Sequence, residues 1–201
     1  MKYFCRFPFL TLLLFSGCVS YSYVAPDNSD APAESYSRVI EKPFDQTWSA
    51  LMQYAGSAYF DIQQFEKQSG LLVLSFVGST PSEFITGGHW KATGALFFDG
   101  DYVDFCVKYR EGVLEDRVNI IVTSVDSART KVTVRAHYVF TVGNPEAGME
   151  SWAFDSGTSD AHPVTGIVAG TDRMITMRPT YKVERSILDA VEGGRIDSSD
   201  H

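Results

Sequence analysis

The chain has 201 residues, with 17 Lys and Arg against 25 Asp and Glu and a formal net charge of −8. Lys2 and Arg6 precede Cys18 and no acidic residue does, so the chain beyond that cysteine is more acidic still. Such a balance argues against nucleic-acid binding, which relies on Lys and Arg to neutralise phosphates, and against a polybasic hold on anionic lipid.

At the amino terminus, Lys2 and Arg6 form a short positive region, with Phe9, Leu10, Leu12, Leu13, Leu14 and Phe15 as an apolar run. A membrane-crossing helix needs roughly 20 apolar residues, so this shorter run reads as a secretory signal rather than a permanent span. Pro8 also disfavours an uninterrupted helix. Leu14-Phe15-Ser16-Gly17-Cys18 resembles a lipobox, the recognition site of bacterial lipoprotein signal peptidase, with Phe15 where Leu is usual. The resemblance implies a signal peptide over 1–17, cleavage between Gly17 and Cys18, a diacylglyceryl thioether on Cys18 and acylation of the new amino terminus. Each buried methylene contributes about 0.8 kcal/mol, so several chains together hold a protein firmly to a bilayer. The alternative is an ordinary cleaved signal with an incidental cysteine. In enterobacterial lipoproteins an Asp after the cysteine favours the inner membrane, so Val19 points to the outer membrane and its periplasmic side.

Residues 19–35 are rich in Ser, Pro, Ala and Asp without periodicity, which predicts a flexible tether of a few nanometres behind Cys18. Residues 36–193 are expected to form one domain. It opens with a strand, Tyr36 to Glu41. From Phe44 to Ala58 the residues Phe44, Trp48, Leu51, Met52, Ala55 and Tyr59 recur at helical spacing, the stripe of an amphipathic helix. Two strands, 59–66 and 71–77, flank the Lys67-Gln68-Ser69-Gly70 turn. Residues 78–101, punctuated by Gly and Pro, read as a loop. Alternation at Val103, Phe105, Val107 and Tyr109, then over 117–125 and 132–142, predicts a three-stranded meander. Trp152 and Phe154 suggest a short strand, 156–170 a polar loop and Met174 to Met177 a further strand. A last helix spans about 180–191, with Gly193-Gly194 ending it and 194–201 a frayed tail. The order predicts an α+β fold, a mostly antiparallel sheet with two helices packed on one face.

Pro43-Phe44-Asp45-Gln46, Trp48, Asp61-Ile62 and Glu66-Lys67-Gln68-Ser69-Gly70-Leu71 resemble the repeated domain of BamC/NlpB-type lipoproteins. Those are accessory components of the outer-membrane barrel assembly machinery with a helix-grip α+β fold. The resemblance covers residues 36–77, and its elements are mostly structural: a helix start, a core tryptophan and a hairpin turn. It implies a helix-grip arrangement and an envelope protein partner. The chain differs in having one such unit and in its 78–101 segment.

Few residues point to chemistry. Of His89, His137, His162 and His201, no two stand four apart, and neither His-Glu-x-x-His nor Cys-x-x-Cys occurs, so no metal and no cofactor are expected. His137 shares the polar side of its strand with Lys131, Thr133 and Arg135. His89-Trp90-Lys91 behind Gly87-Gly88 is a candidate partner or ligand contact, because glycines admit close approach and an exposed Trp anchors partners. The alternative is a loop folded over the core edge with Trp90 plugging it. Asp99-Gly100-Asp101 with Asp104 lacks the Gly and Glu of a calcium loop and reads as a turn. Ser156, Asp160 and His162 lack the elbow that exposes a catalytic serine. Cys106, beyond the lipidated cysteine, reads as a buried, inert thiol.

The expected function is therefore that of a non-catalytic, lipid-anchored envelope lipoprotein that mediates protein contacts. A module for a small hydrophobic or cell-wall-derived ligand, held between the Trp48 helix and the sheet, is the alternative; aromatic residues make up 13% of the chain and suit a pocket or a packed core equally. An exported hydrolase using His89 or His162 stands third.

Overall fold

The computed structural model describes residues 20–27, 33–58, 60–77, 80–94, 97–144, 148–164 and 173–193. The expected signal peptide, Gly17, Cys18 and the tail at 194–201 lie outside them. In chain order the elements are β1 (Ser20–Val24), β2 (Ser37–Ile40), α1 (Phe44–Ser57), β3 (Asp61–Glu66), β4 (Leu71–Val77), β5 (Ile85–Thr86), β6 (His89–Thr93), β7 (Phe98–Asp101), α2 (Tyr102–Tyr109), β8 (Val113–Ser124), β9 (Thr130–Asn144), β10 (Gly148–Asp155), β11 (Asp160–Val164), β12 (Arg173–Pro179) and α3 (Lys182–Gly193).

The strict alternation of β8 and β9 sets the frame, because side chains in a strand point to opposite faces in turn. Leu114, Val118, Ile120 and Val122 of β8 are buried, as are Val132, Val134, Ala136, Tyr138, Phe140 and Val142 of β9. The two strands pair antiparallel over their whole length, Val118 opposite Ala136 and Ile120 opposite Val134. The sheet continues in the order β10-β9-β8-β4-β3, and β2 shares the outer edge of β9 with β10. The opposite face carries exposed Glu115, Arg117, Ile121, Lys131, Arg135 and His137, so the sheet is covered on one side and open to solvent on the other.

Helices α1 and α3 touch each other and lie over the covered face. Trp48, Leu51 and Ala55 of α1 and Val183, Ile187, Leu188 and Val191 of α3 join Leu72, Leu74, Ile120 and Val134 in one continuous core. Burying each such side chain contributes about 1.5–3 kcal/mol. The predicted α+β, mostly antiparallel fold with two helices on one face is present. It is extended by two small sheets, β1-β6-β7 and β11-β12-β5, and by α2.

Four expectations are corrected. The segment 19–35 is not a flexible tether throughout: Ser20–Val24 forms β1, paired with β6 from Ser20 opposite Thr93 to Val24 opposite His89. Its alternation turns Tyr21 and Tyr23 onto Trp90, with ring centroids 5.6 and 6.3 Å away. Residues 78–101 are not a plain loop but hold β5, β6 and β7. The apparent strand at 103–109 is the helix α2, capped by Asp101, whose side chain accepts from the Val103 N–H at 2.8 Å. Its buried Tyr102, Val103, Phe105 and Cys106 follow helical rather than alternating spacing. The polar stretch after residue 156 also contributes a strand, β11, paired with β12.

Candidate functional site

Strand geometry separates His89 from Trp90. The side chain of Trp90 turns inward and is 1% exposed. It meets Tyr102 and Phe105 of α2 at 5.4 and 5.6 Å between ring centroids, besides Tyr21 and Tyr23. This is an aromatic core beside α2, so Trp90 is no exposed anchor for a partner, and the plugging alternative describes it. Its Nε1 has no hydrogen-bond partner among the described residues, so packing alone holds the ring. His89 turns outward, with Nε2 2.9 Å from Asp99 Oδ1, and Lys91 Nζ lies 2.6 Å from Asp99 Oδ2. The Lys91 ammonium holds the Asp99 carboxyl below the usual carboxylate range, with His89 adding to the effect. Exposed pairs of this kind contribute little to stability.

The three aspartates near residue 100 have separate tasks. Asp99 pairs across the β6–β7 ladder; Asp101 accepts from the Thr86 hydroxyl at 2.5 Å and the Gly87 N–H at 3.0 Å as well as capping α2; Asp104 is exposed on α2. No group of three or more His, Cys, Asp or Glu able to hold a metal ion occurs among the described residues. Cys106 is buried and unpaired, and burial pushes its thiol up to about 12, which keeps it protonated.

Ser156, Asp160 and His162 do not converge. His162 Nε2 lies 2.6 Å from the Ser151 carbonyl oxygen and 3.5 Å from Asp160, which accepts from the Ala153 N–H at 2.9 Å; these contacts cover the outer edge of β10. Ser156 instead donates to Glu184 Oε1 at 2.5 Å and receives the Ala136 N–H at 2.8 Å. Tyr138 donates to the same Glu184 carboxylate at 3.2 Å. Glu184 and Tyr138 are fully buried, so this network is closed to a substrate.

Next to it stands Asp116, on the inward register of β8. Its Oδ1 accepts from the Phe76 N–H at 3.1 Å, while its buried Oδ2 has no partner among the described residues. Burial drives the Asp116 carboxyl up to about 8, and the charge of Glu184 pushes the same way. Burial also raises Glu184, although the Ser156 and Tyr138 hydroxyls pull it back. Periodicity carries the signal for both residues: Glu184 shares the stripe of Ile187, Leu188 and Val191, and Asp116 falls between Leu114 and Val118.

Trp48, Leu51 and Ala55 of α1 pack directly into the core. A concave feature lies at the rim. Phe44 at the start of α1, Phe65 and Glu66 of β3, the 67–69 turn and Val122 to Ser124 of β8 line an open depression of about 870 Å³. Phe65 is 63% exposed on edge strand β3, and Lys67 Nζ reaches Asp45 Oδ1 at 2.8 Å across the mouth. The lining mixes apolar Phe44, Phe65 and Val122 with a larger set of polar and charged side chains. Among the described residues no helix is long and apolar enough to cross a membrane. Comparison of the chain with family models, curated proteins and solved structures finds no match.

Proposed function

We propose that the protein is a non-catalytic lipoprotein of the bacterial envelope, held by lipid on Cys18 at the periplasmic side of the outer membrane. Its α+β domain makes protein contacts that serve assembly or maintenance of that membrane. The observation that carries the reading is Leu14-Phe15-Ser16-Gly17-Cys18 behind a short apolar run with Lys2 and Arg6 ahead of it. The helix-grip, BamC/NlpB-like character of residues 36–77 belongs to the same proposal. Support for it comes from where the resembling residues fall: Phe44, Glu66, Lys67, Gln68 and Ser69 all line the open depression.

That depression is the proposed partner site, with Phe65 as its apolar contact. Because Phe65 is largely exposed, Phe65→Glu is expected to leave the melting temperature almost unchanged while removing cross-links formed from neighbouring Gln68 in intact envelopes. Cross-links that persist at full yield in the folded variant would count against this site; an equal yield from exposed Glu115, on the open sheet face, would count against any specific contact.

A further inference from the structure

The position of β1 constrains how the domain meets its membrane. Ser20 is the first residue of β1 and stands opposite Thr93, the last residue of β6; the Thr93 hydroxyl lies 3.4 Å from the Ser20 carbonyl oxygen. Followed from Val24 towards Ser20, β1 runs to the end of β6 that leads on into β7. Only Val19 separates Cys18 from Ser20, two chain steps with a reach of at most about 7 Å. The polar layer on each side of a bilayer is itself roughly 5–7 Å deep. A Cys18 whose acyl chains enter the hydrocarbon therefore places Ser20, and the hairpin end beside it, at head-group depth.

That end has the right chemistry for such a location. Phe97 is 71% exposed, the most exposed large hydrophobic side chain among the described residues. No charged residue stands between Lys91 and Asp99 in the sequence. Phe98 next to it meets Tyr109 at the end of α2, with ring centroids 6.2 Å apart, and Lys108 Nζ sits 5.0 Å from the Tyr109 ring centre. Aromatic rings at head-group level, with a lysine reaching to the phosphates, match the composition of a bilayer interface.

We propose that the end of the molecule formed by Phe97, Tyr109 and Lys108 lies against the bilayer that holds the Cys18 lipids, with Phe97 inserted among the head groups. The proposal rests on lipidation of Cys18. It fixes the orientation of the domain: the membrane contact lies at the β6–β7 end, and the domain sits flush with the bilayer instead of ranging on a long tether.

The test uses the processed protein purified from envelopes and reconstituted in vesicles of phosphatidylethanolamine and phosphatidylglycerol, with and without bromine on the upper acyl chains. Trp48, Trp90 and Trp152 are buried and provide a steady background. A Phe97→Trp variant is expected to lose roughly half of its added emission in brominated vesicles, as for a side chain at the boundary of head groups and acyl chains. A Val125→Trp variant, just beyond the Ser124 end of β8, is expected to lose none. Equal emission of the Phe97→Trp variant in both vesicles, with intact mass showing lipid on Cys18, overturns the proposed contact and leaves the anchor standing. A mass without lipid overturns the anchor, and this proposal with it.

Discussion

Asp116 is the residue whose environment fits it least. It occupies an inward position of β8, in line with Phe76 on one neighbour strand and Tyr138 on the other, and among the described residues only one of its carboxylate oxygens has a donor. A buried carboxylate without full hydrogen bonding is driven to its neutral form. The folded-state pKa of about 8 lies above the ordinary value of 3.8, so between these values the folded protein binds more protons at Asp116 than the unfolded chain does. This contribution to stability is fully present below 3.8, declines as pH rises and is gone above about 8. Asp116→Asn cannot ionise. It is expected to flatten the fall of melting temperature across that window, at about 2–4 °C for each kcal/mol, when both proteins are melted at a series of pH values. Parallel curves for the two would show that Asp116 does not titrate in this way. Glu184 has a milder form of the same position, since two hydroxyls donate to it.

At the scale of elements, β6 shows what one strand does to adjacent side chains. Trp90→Ala should cost about 3–5 kcal/mol, as expected for removing a buried aromatic. His89→Ala should change stability by no more than about 0.5 kcal/mol, because its contact with Asp99 is exposed. Urea denaturation of both variants measures the contrast, and equal midpoints would mean that the two residues form one exposed site after all. The same region shows where sequence patterns lose their grip. Val103, Phe105, Val107 and Tyr109 satisfy a period of two, yet Tyr102, Val103, Phe105 and Cys106 satisfy the helical stripe equally well over so short a stretch, and the Asp101 cap decides the outcome. In β1, Ser-Tyr-Ser-Tyr-Val resembles a polar linker until Trp90 is present to receive its tyrosines. The Ser-Tyr alternation is the one local mark of that strand, and its partner stands a long stretch of chain away. The long alternations of β8 and β9, the Phe44–Trp48–Leu51–Ala55 stripe and the Lys67–Gly70 turn were legible because each states its own period or turn chemistry. The depression at the α1 rim was half legible. The residues of its turn are visible in the sequence, but the exposure of Phe65 follows from β3 being an edge strand.

For the whole molecule, the arrangement places two different surfaces at separate points of one domain. The Ser20 end of β1 lies beside the Thr93 end of β6, while the Phe44–Phe65 depression opens at the rim of α1 and the edge of the central sheet. The core between them is filled by side chains from both helices and the sheet, and its buried acids are enclosed. On the proposed reading, membrane attachment and partner contact draw on different residues, and both rest on lipidation of Cys18. The direct measurement is incorporation of radioactive palmitate into the native chain and into Cys18→Ser. Label on the native chain and none on the variant is the predicted result. Label that persists in Cys18→Ser, or is missing from both, would contradict a lipid anchor at Cys18.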